Sequence, residues 1–306
     1  MIVIGESIQI ISHSVRAAIE NRHKAIIQEL ALHQVESGAH WLDINIGPQK
    51  KAGAEVMTWI VNTVQEVTDA PLALDTTDSK AMEAGVKACH NTALINSTDA
   101  TPERLKALMP LAAKYNTNII ALTLGSGSLP STADARLALV LEQILPAATR
   151  YNVPFDHLFL DPLVLTINGN QAQAMETIEA TRYLKQICEP SPMTTCGLSN
   201  ISSGAPQEIR PLINRVFLTM MLGAGLDSAI MNSLDRELME TLRIIDSGDK
   251  STRKAMLYLG LYNAYAAGEQ FDTSTINKDN PELRDIGRTI QVLQNELLYA
   301  HGYLST

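Results

Sequence analysis

Cysteine is scarce in this 306-residue chain: Cys89, Cys188 and Cys196 stand far apart. No CxxC or Cys/His pairing joins them, so neither a disulfide framework nor a zinc site is expected, and all three read as small buried apolar residues. Basic charge is short as well, with 24 Lys plus Arg against 33 Asp plus Glu and a net charge of −9. Lacking a cationic excess to displace counterions, the chain is not expected to bind nucleic acid. The longest apolar run, Val216 to Leu226, is well short of the roughly 20 residues that cross a bilayer. Met1 to Gly5 carries no basic leader, and the expectation is a cytoplasmic protein away from membranes. With 45% apolar and 19% charged residues, a chain of this length buries about three quarters of its unfolded surface, which excludes a disordered chain.

Short apolar or β-branched runs alternate with stretches whose apolar residues recur at three and four, the pattern of strands and helices around a parallel sheet. Eight runs read as strands: Ile2–Ile4, Trp41–Ile46, Leu72–Leu74, Ala93–Ile95, Ile119–Leu124, Leu158–Leu160, Met193–Leu198 and Ser228–Met231. Helices are expected near 15–37, 53–67, 79–89, 102–115, 133–150, 171–188, 208–224 and 234–246. Ser14, Asp78 or Ser79, Thr101 before Pro102, and Ser131 or Thr132 supply start signals. Eight βα units in series predict an α/β fold of the TIM (β/α)8 type over residues 1–247. An open doubly wound sheet is the alternative, but it calls for a Gly-rich phosphate-binding first turn, and Gly5-Glu6-Ser7-Ile8 provides none. Gly125-Ser126-Gly127, followed by Leu129-Pro130, reads as a loop. Residues 248–306 break the rhythm and predict a C-terminal helical extension, with helices near 251–268 and 281–303. Their apolar residues Tyr258, Leu261, Tyr262, Tyr265, Ile290, Leu293, Leu297 and Leu298 are expected to pack on the chain's own barrel.

In such a barrel the carboxyl ends of the strands and the loops after them build the active site. Those ends carry Glu6, Asp43 with Asn45, Asp75, Asn96, Thr123, Asp161, Ser199 with Asn200, and Asp227 with Asn232. A single carboxylate or amide there is explained by capping the next helix; the whole set converging on one mouth is not. The rim holds no Ser/His pair, no Lys at a strand end and no His-rich triad, which weakens nucleophilic and metallohydrolase readings. Asp75, Asn96 and Asp161 instead offer acceptors and a mixed donor–acceptor amide to the edge of a flat ring rich in N–H groups, such as a pterin or guanine.

The motifs Gly5-Glu6, Leu42-Asp43-Ile44-Asn45-Ile46-Gly47-Pro48, Leu74-Asp75-Thr76-Thr77, Ile95-Asn96-Ser97-Thr98, Leu160-Asp161-Pro162-Leu163, Gly197-Leu198-Ser199-Asn200 and Pro211-Leu212-Ile213-Asn214-Arg215 occur in an order that resembles the pterin-binding methyltransferases, among them the methyltetrahydrofolate:corrinoid/iron–sulfur protein Co-methyltransferases. The resemblance covers roughly residues 1–246. It implies a TIM barrel, a homodimer, and methyl transfer between N5 of tetrahydrofolate and the cobalt of a corrinoid (cobalamin) held by a partner protein. Tetrahydrofolate or 5-methyltetrahydrofolate is then the substrate, in acetogenic one-carbon metabolism or in O-demethylation. By the same resemblance Asp75, Asn96 and Asp161 correspond to pterin ligands and Asn200 to the catalytic amide beside N5. Arg210 is similar in position to a family residue near the folate, while Ser199, Asp43, Asn45 and Glu6 share the rim.

Ser7 and Gln9 depart from the family, standing where it often has Arg and Asn. No Asp-x-His-x-x-Gly corrinoid motif occurs, which puts the cobalt on another polypeptide. Two other readings stay open. A dihydropteroate synthase-like enzyme would need cations for a pyrophosphate leaving group, and Asp227 to Asn232 has none. A non-catalytic folate-binding docking subunit would bind without transferring.

Overall fold

The computed structural model describes residues 1–48 and 52–305. Eight strands form one sheet: β1 (Ile2–Gln9), β2 (Trp41–Asn45), β3 (Leu72–Asp75), β4 (Leu94–Asp99), β5 (Asn118–Leu122), β6 (Leu158–Asp161), β7 (Met193–Thr194) and β8 (Ser228–Met231). They pair in parallel, in the order β7-β6-β5-β4-β3-β2-β1-β8. The two outer members meet through a bridge between Gly197 and Ile230, where the Ile230 amide donates to the Cys196 carbonyl at 2.8 Å. The sheet thus closes into the expected (β/α)8 barrel.

Side-chain alternation fills the cylinder in layers. Ile4, Ala73, Leu94, Ile120 and Phe159 form a buried cluster with Ile2, Trp41, Met193 and Ile230 against it. This interior cluster is separate from the larger one between the sheet and the helices. Two residues beyond these apolar positions, on the same face, come Glu6, Asp43, Asp75, Asn96 and Asp161. The pairing register sets the layers level, with Ala73 opposite Leu94 and Asp75 opposite Asn96. An apolar floor therefore lies beneath a polar ring.

Three expected helices differ from the sequence reading. The first is split into His13–Glu20 and Lys24–Glu36, because Arg22 takes a left-handed φ of 56°; Ser12, not Ser14, precedes it. The stretch 133–150 contains a π-helical turn, Val140–Ile144, where Pro146 has no N–H to satisfy the Glu142 carbonyl. The last helix ends at Leu293, since Asn295 at φ 63° turns the chain back. As expected, Asp78, Thr101 and Thr132 accept capping hydrogen bonds. Only Cys196 is buried; Cys89, which caps the carboxyl end of the helix Ser79–Ala88, and Cys188, in the bend beyond the helix Gln173–Leu184, are partly exposed.

Tyr258, Leu261, Tyr265, Ile290 and Leu293 are buried, whereas Leu298 is 83% exposed. The helix Arg253–Ala266 packs on the helix Arg210–Gly223 so closely that a Cβ on Gly223 would stand 2.6 Å from the Tyr262 carbonyl oxygen. The Gly223→Ala protein should accordingly lose about 1–3 kcal/mol, because the clash is with backbone that cannot rotate away. Chemical denaturation of both proteins measures this loss.

Candidate active site

The polar ring lines a cavity of about 210 Å³, formed by Glu6, Gln9, Asp43, Asn45, Asp75, Asn96, Leu122, Asp161, Gly197, Ser199, Asn200 and Ile230. Eight of the nine sequence-derived site residues meet here. Arg210 does not line the cavity; it begins a helix, and its Nε donates to the Ala205 carbonyl at 2.7 Å. Thr123 and Asn232 are also outside the lining. Asp227 precedes β8 and so lies at the opposite end of the barrel, where it pairs with Lys185 at 2.8 Å and accepts from the Thr194 amide.

A bulge in β1 explains a residue that sequence reading treated only as a departure. Gly5 pairs with Leu42 but Ile8 with Ile44, which inserts one extra residue. Ile8 turns into the outer core, and Gln9 joins Glu6 on the cavity wall. Ser7 is not in the lining; its amide donates to Gln34 Oε1 at 2.8 Å. The apolar alternation of Ile2 and Ile4 stops before the bulge, so pattern alone carried no signal for Gln9.

Amides pair with acids around the ring. Asn45 Nδ2 donates to Asp75 Oδ2 at 2.5 Å, and Asn96 Nδ2 to Asp43 Oδ1 at 2.9 Å. Ser199 Oγ donates to Glu6 Oε1 at 2.7 Å, and the Leu163 amide to Asp161 Oδ1 at 2.8 Å. Among the described residues no cationic side chain is in the lining. Burial consequently pushes all four acids up: Asp75 to about 6, Asp161 to about 7, Glu6 upward, and Asp43 well upward with help from the adjacent Asp75 charge. Behind Asp161 lies a supporting residue absent from the sequence reading, the fully buried Arg136. It donates to the Pro162 carbonyl at 2.7 Å, and its charge partly offsets the shift at Asp161. No strand-end pattern announces it, because it comes from a helix.

Asn200 lies in the 3-10 turn Leu198–Ser202 directly after β7. Its Nδ2 would be 3.0 Å from a Cβ on Gly197, so a residue without a side chain there leaves room for the amide. The backbone N–H of Asn200 donates to the Gly197 carbonyl at 3.2 Å, whereas its side-chain amide has no hydrogen-bond partner among the described residues and is free for a ligand.

A larger cavity, about 780 Å³, lies outside the barrel beneath Gly125–Ser131. Its lining has no carboxylate, imidazole or thiol, and the Gly125-Ser126-Gly127 loop is only part of its roof. Proton-transfer chemistry near neutrality has no group there.

Residues 12–232 match the family described as pterin binding enzymes. The chain belongs to the pterin binding enzyme family. It is 28% identical over 259 residues to the methylcorrinoid:tetrahydrofolate methyltransferase of Eubacterium limosum, across 83% of this chain and 94% of that protein. It is 30% identical over 214 residues to the methionine synthase of Mycobacterium tuberculosis, across 67% of this chain but 18% of the synthase, a much longer protein. Among solved structures, dihydropteroate synthases from Xanthomonas albilineans and Yersinia pestis superpose with TM-scores of 0.57 and 0.57 at 15% and 14% identity. They cover 82% and 81% of this chain, and 93% and 94% of their own chains are matched. At that identity they speak to the shared barrel alone.

The raised acids set a pH dependence. A carboxyl group that holds its proton more tightly when folded contributes stability below its unfolded value near 3.8, and that contribution is lost as pH rises through about 6 for Asp75 and about 7 for Asp161. Asp161→Asn should therefore stabilise the ligand-free protein at pH 8, by on the order of 1–3 kcal/mol, and leave pH 4 nearly unchanged. Thermal unfolding at the two pH values reads the difference.

Proposed function

We propose that the protein transfers a methyl group between N5 of tetrahydrofolate and the cobalt of a corrinoid carried by a partner protein. The observation that carries this reading is a cavity walled, among the described residues, by acids and amides with no cation, beside an unpartnered side-chain amide at Asn200. Asp75, Asn96 and Asp161 suit the N–H edge and ring carbonyl of a pterin. Seating such donors against ionised carboxylates also offsets the desolvation that raises their pKa values. The likeness to a methylcorrinoid:tetrahydrofolate methyltransferase supports the corrinoid partner and favours transfer toward folate, the O-demethylation side of the two settings.

In that direction the N5 lone pair bonds to the methyl carbon, the carbon–cobalt electron pair stays on the corrinoid, and the N5 proton departs to water. The reverse reaction takes up a proton at N5. An amide serves both directions because Oδ1 accepts from N5–H and Nδ2 donates to N5, whereas a carboxylate only accepts. Asn200 thus stabilises charge that develops at N5. Among the described residues the lining offers acids and amides and no cation, which suits a pterin edge better than the pyrophosphate leaving group of a dihydropteroate synthase.

Equilibrium binding of methyltetrahydrofolate, followed by a spectral assay with reduced cobalamin, tests the reading. Binding without transfer would identify a non-catalytic docking subunit, and no binding would sink the pterin assignment. Asn200→Ala should lower turnover by roughly 2–4 kcal/mol, a factor of about 30 to 1,000, with little change in folate affinity. Asp161→Asn should weaken binding by about 10- to 100-fold at pH 8 and flatten its loss between pH 8 and pH 5.5, since ionised Asp161 is the form that accepts N–H donors.

A further inference from the structure

Beyond the helix Pro281–Leu293 the chain folds back and runs to the barrel rim. There it meets Gln171, in the loop between β6 and the helix Gln173–Leu184. Gln171 Nε2 donates to the carbonyls of Val292 at 2.8 Å and Leu297 at 2.6 Å, and its Oε1 accepts from the Tyr299 amide at 2.7 Å. Both donors and the acceptor of one side chain are thus spent on a segment more than 120 positions away. That segment is held from its other side. Tyr303 Oη and Thr289 Oγ1 share a hydrogen bond of 2.7 Å, and Arg288 Nε donates to the Tyr303 carbonyl at 2.7 Å.

The loop that carries Gln171 begins at Asp161, whose carboxylate accepts from Leu163. Further along, Thr166 Oγ1 donates to the Ser203 carbonyl, and Asn168 lies against Gly204 at φ 76°. Ser203 directly follows the turn that presents Ser199 and Asn200. A continuous set of contacts therefore runs from the C-terminal segment through Gln171 and Thr166 to the turn bearing Asn200. Asn45, Asp75 and Asn96 stand on β2, β3 and β4, outside this set.

We propose that Gln171 is a positioning residue, through which the C-terminal extension fixes the loop after β6 and, across Thr166 and Ser203, the turn that presents Asn200. The assignment of a reaction to those loops rests on the methyl-transfer reading; the clamp itself does not. Holding a group within a fraction of an ångström of its working place matters most for an interaction that strengthens in the transition state. The extension is in this sense part of the active site although none of its residues lines the cavity.

The test uses the full chain and the variants Gln171→Ala and Thr166→Val, with methyltetrahydrofolate and free reduced cobalamin as probes. Gln171→Ala should lower kcat by about 10- to 100-fold while KM and the folate Kd change by no more than about threefold, because Asp75, Asn96 and Asp161, each on a strand, still hold the ring. Thr166→Val, which leaves the C-terminal segment untouched, should show the same split, and the double variant should lose little more than either single one. Amide exchange across 198–205 should rise by about tenfold in Gln171→Ala. Unchanged exchange there, or an active wild type with kcat unaltered in both variants, overturns the proposal. Should Gln171→Ala fail to fold, Thr166→Val decides by the same readouts, with equal kcat and exchange counting against the clamp. A wild type that binds folate but transfers no methyl defeats the functional reading instead, and the exchange measurement still judges the clamp.

Discussion

The molecule depends on strand parity inside a closed barrel. Each strand turns every second residue inward, so the floor of Ile4, Ala73, Leu94, Ile120 and Phe159 fixes what stands one layer above it. If β3 slipped by one residue, Asp75 would face the helices and Leu74 the cavity. The apolar floor thus does two things with one set of side chains. It stabilises the barrel by burial, about 1.5–3 kcal/mol for each large aliphatic side chain, and it sets the direction of the acids. The closing contact between Gly197 and Ile230 completes the ring and brings the Ser199–Asn200 turn beside Glu6.

Four acids in so small a space are unfavourable in the ligand-free protein, and the structure moderates the cost with neutral donors. Asn45, Asn96 and Ser199 each hold one carboxyl group through a hydrogen bond without neutralising it. An Arg or Lys in the same place would satisfy the acids outright and leave little for a ligand to gain. Amide partners keep the acids oriented but hungry for N–H donors. Arg136 helps only Asp161, and from behind. The distribution of donors therefore matches a ring that brings hydrogen-bond donors and does not match one that brings phosphate groups.

Much of this was legible in the sequence, and the reasons are local. Each of the eight strands is a short run that ends in a polar residue or leads directly into one, and the strand-end rule carried Glu6, Asp43, Asn45, Asp75, Asn96, Asp161, Ser199 and Asn200 to one mouth. Where reading failed, the cause was a feature with no periodic trace. The bulge that brings Gln9 inward inserts one residue, and Asp227 was misplaced because polar residues flank both ends of the four-residue run Ser228–Met231, Asp227 before it and Asn232 after it. Arg22 and Asn295 broke expected helices by taking left-handed conformations that neither residue advertises as glycine would. Arg136 and Gln171 act from a helix and a long loop, and their partners, Pro162, Val292, Leu297 and Tyr299, are defined only by the folded chain.

The floor has one further effect. Phe159, Leu94 and their neighbours plug the cylinder from below, so on the methyl-transfer reading a folate and a corrinoid share the same doorway. The flat heterocycle lies deeper, and the bulkier visitor covers it. Seating then follows a queue: the small reactant enters first, the large one arrives over it, and departure runs in the opposite order. A plug of five hydrocarbon side chains would by this route dictate traffic as well as shape.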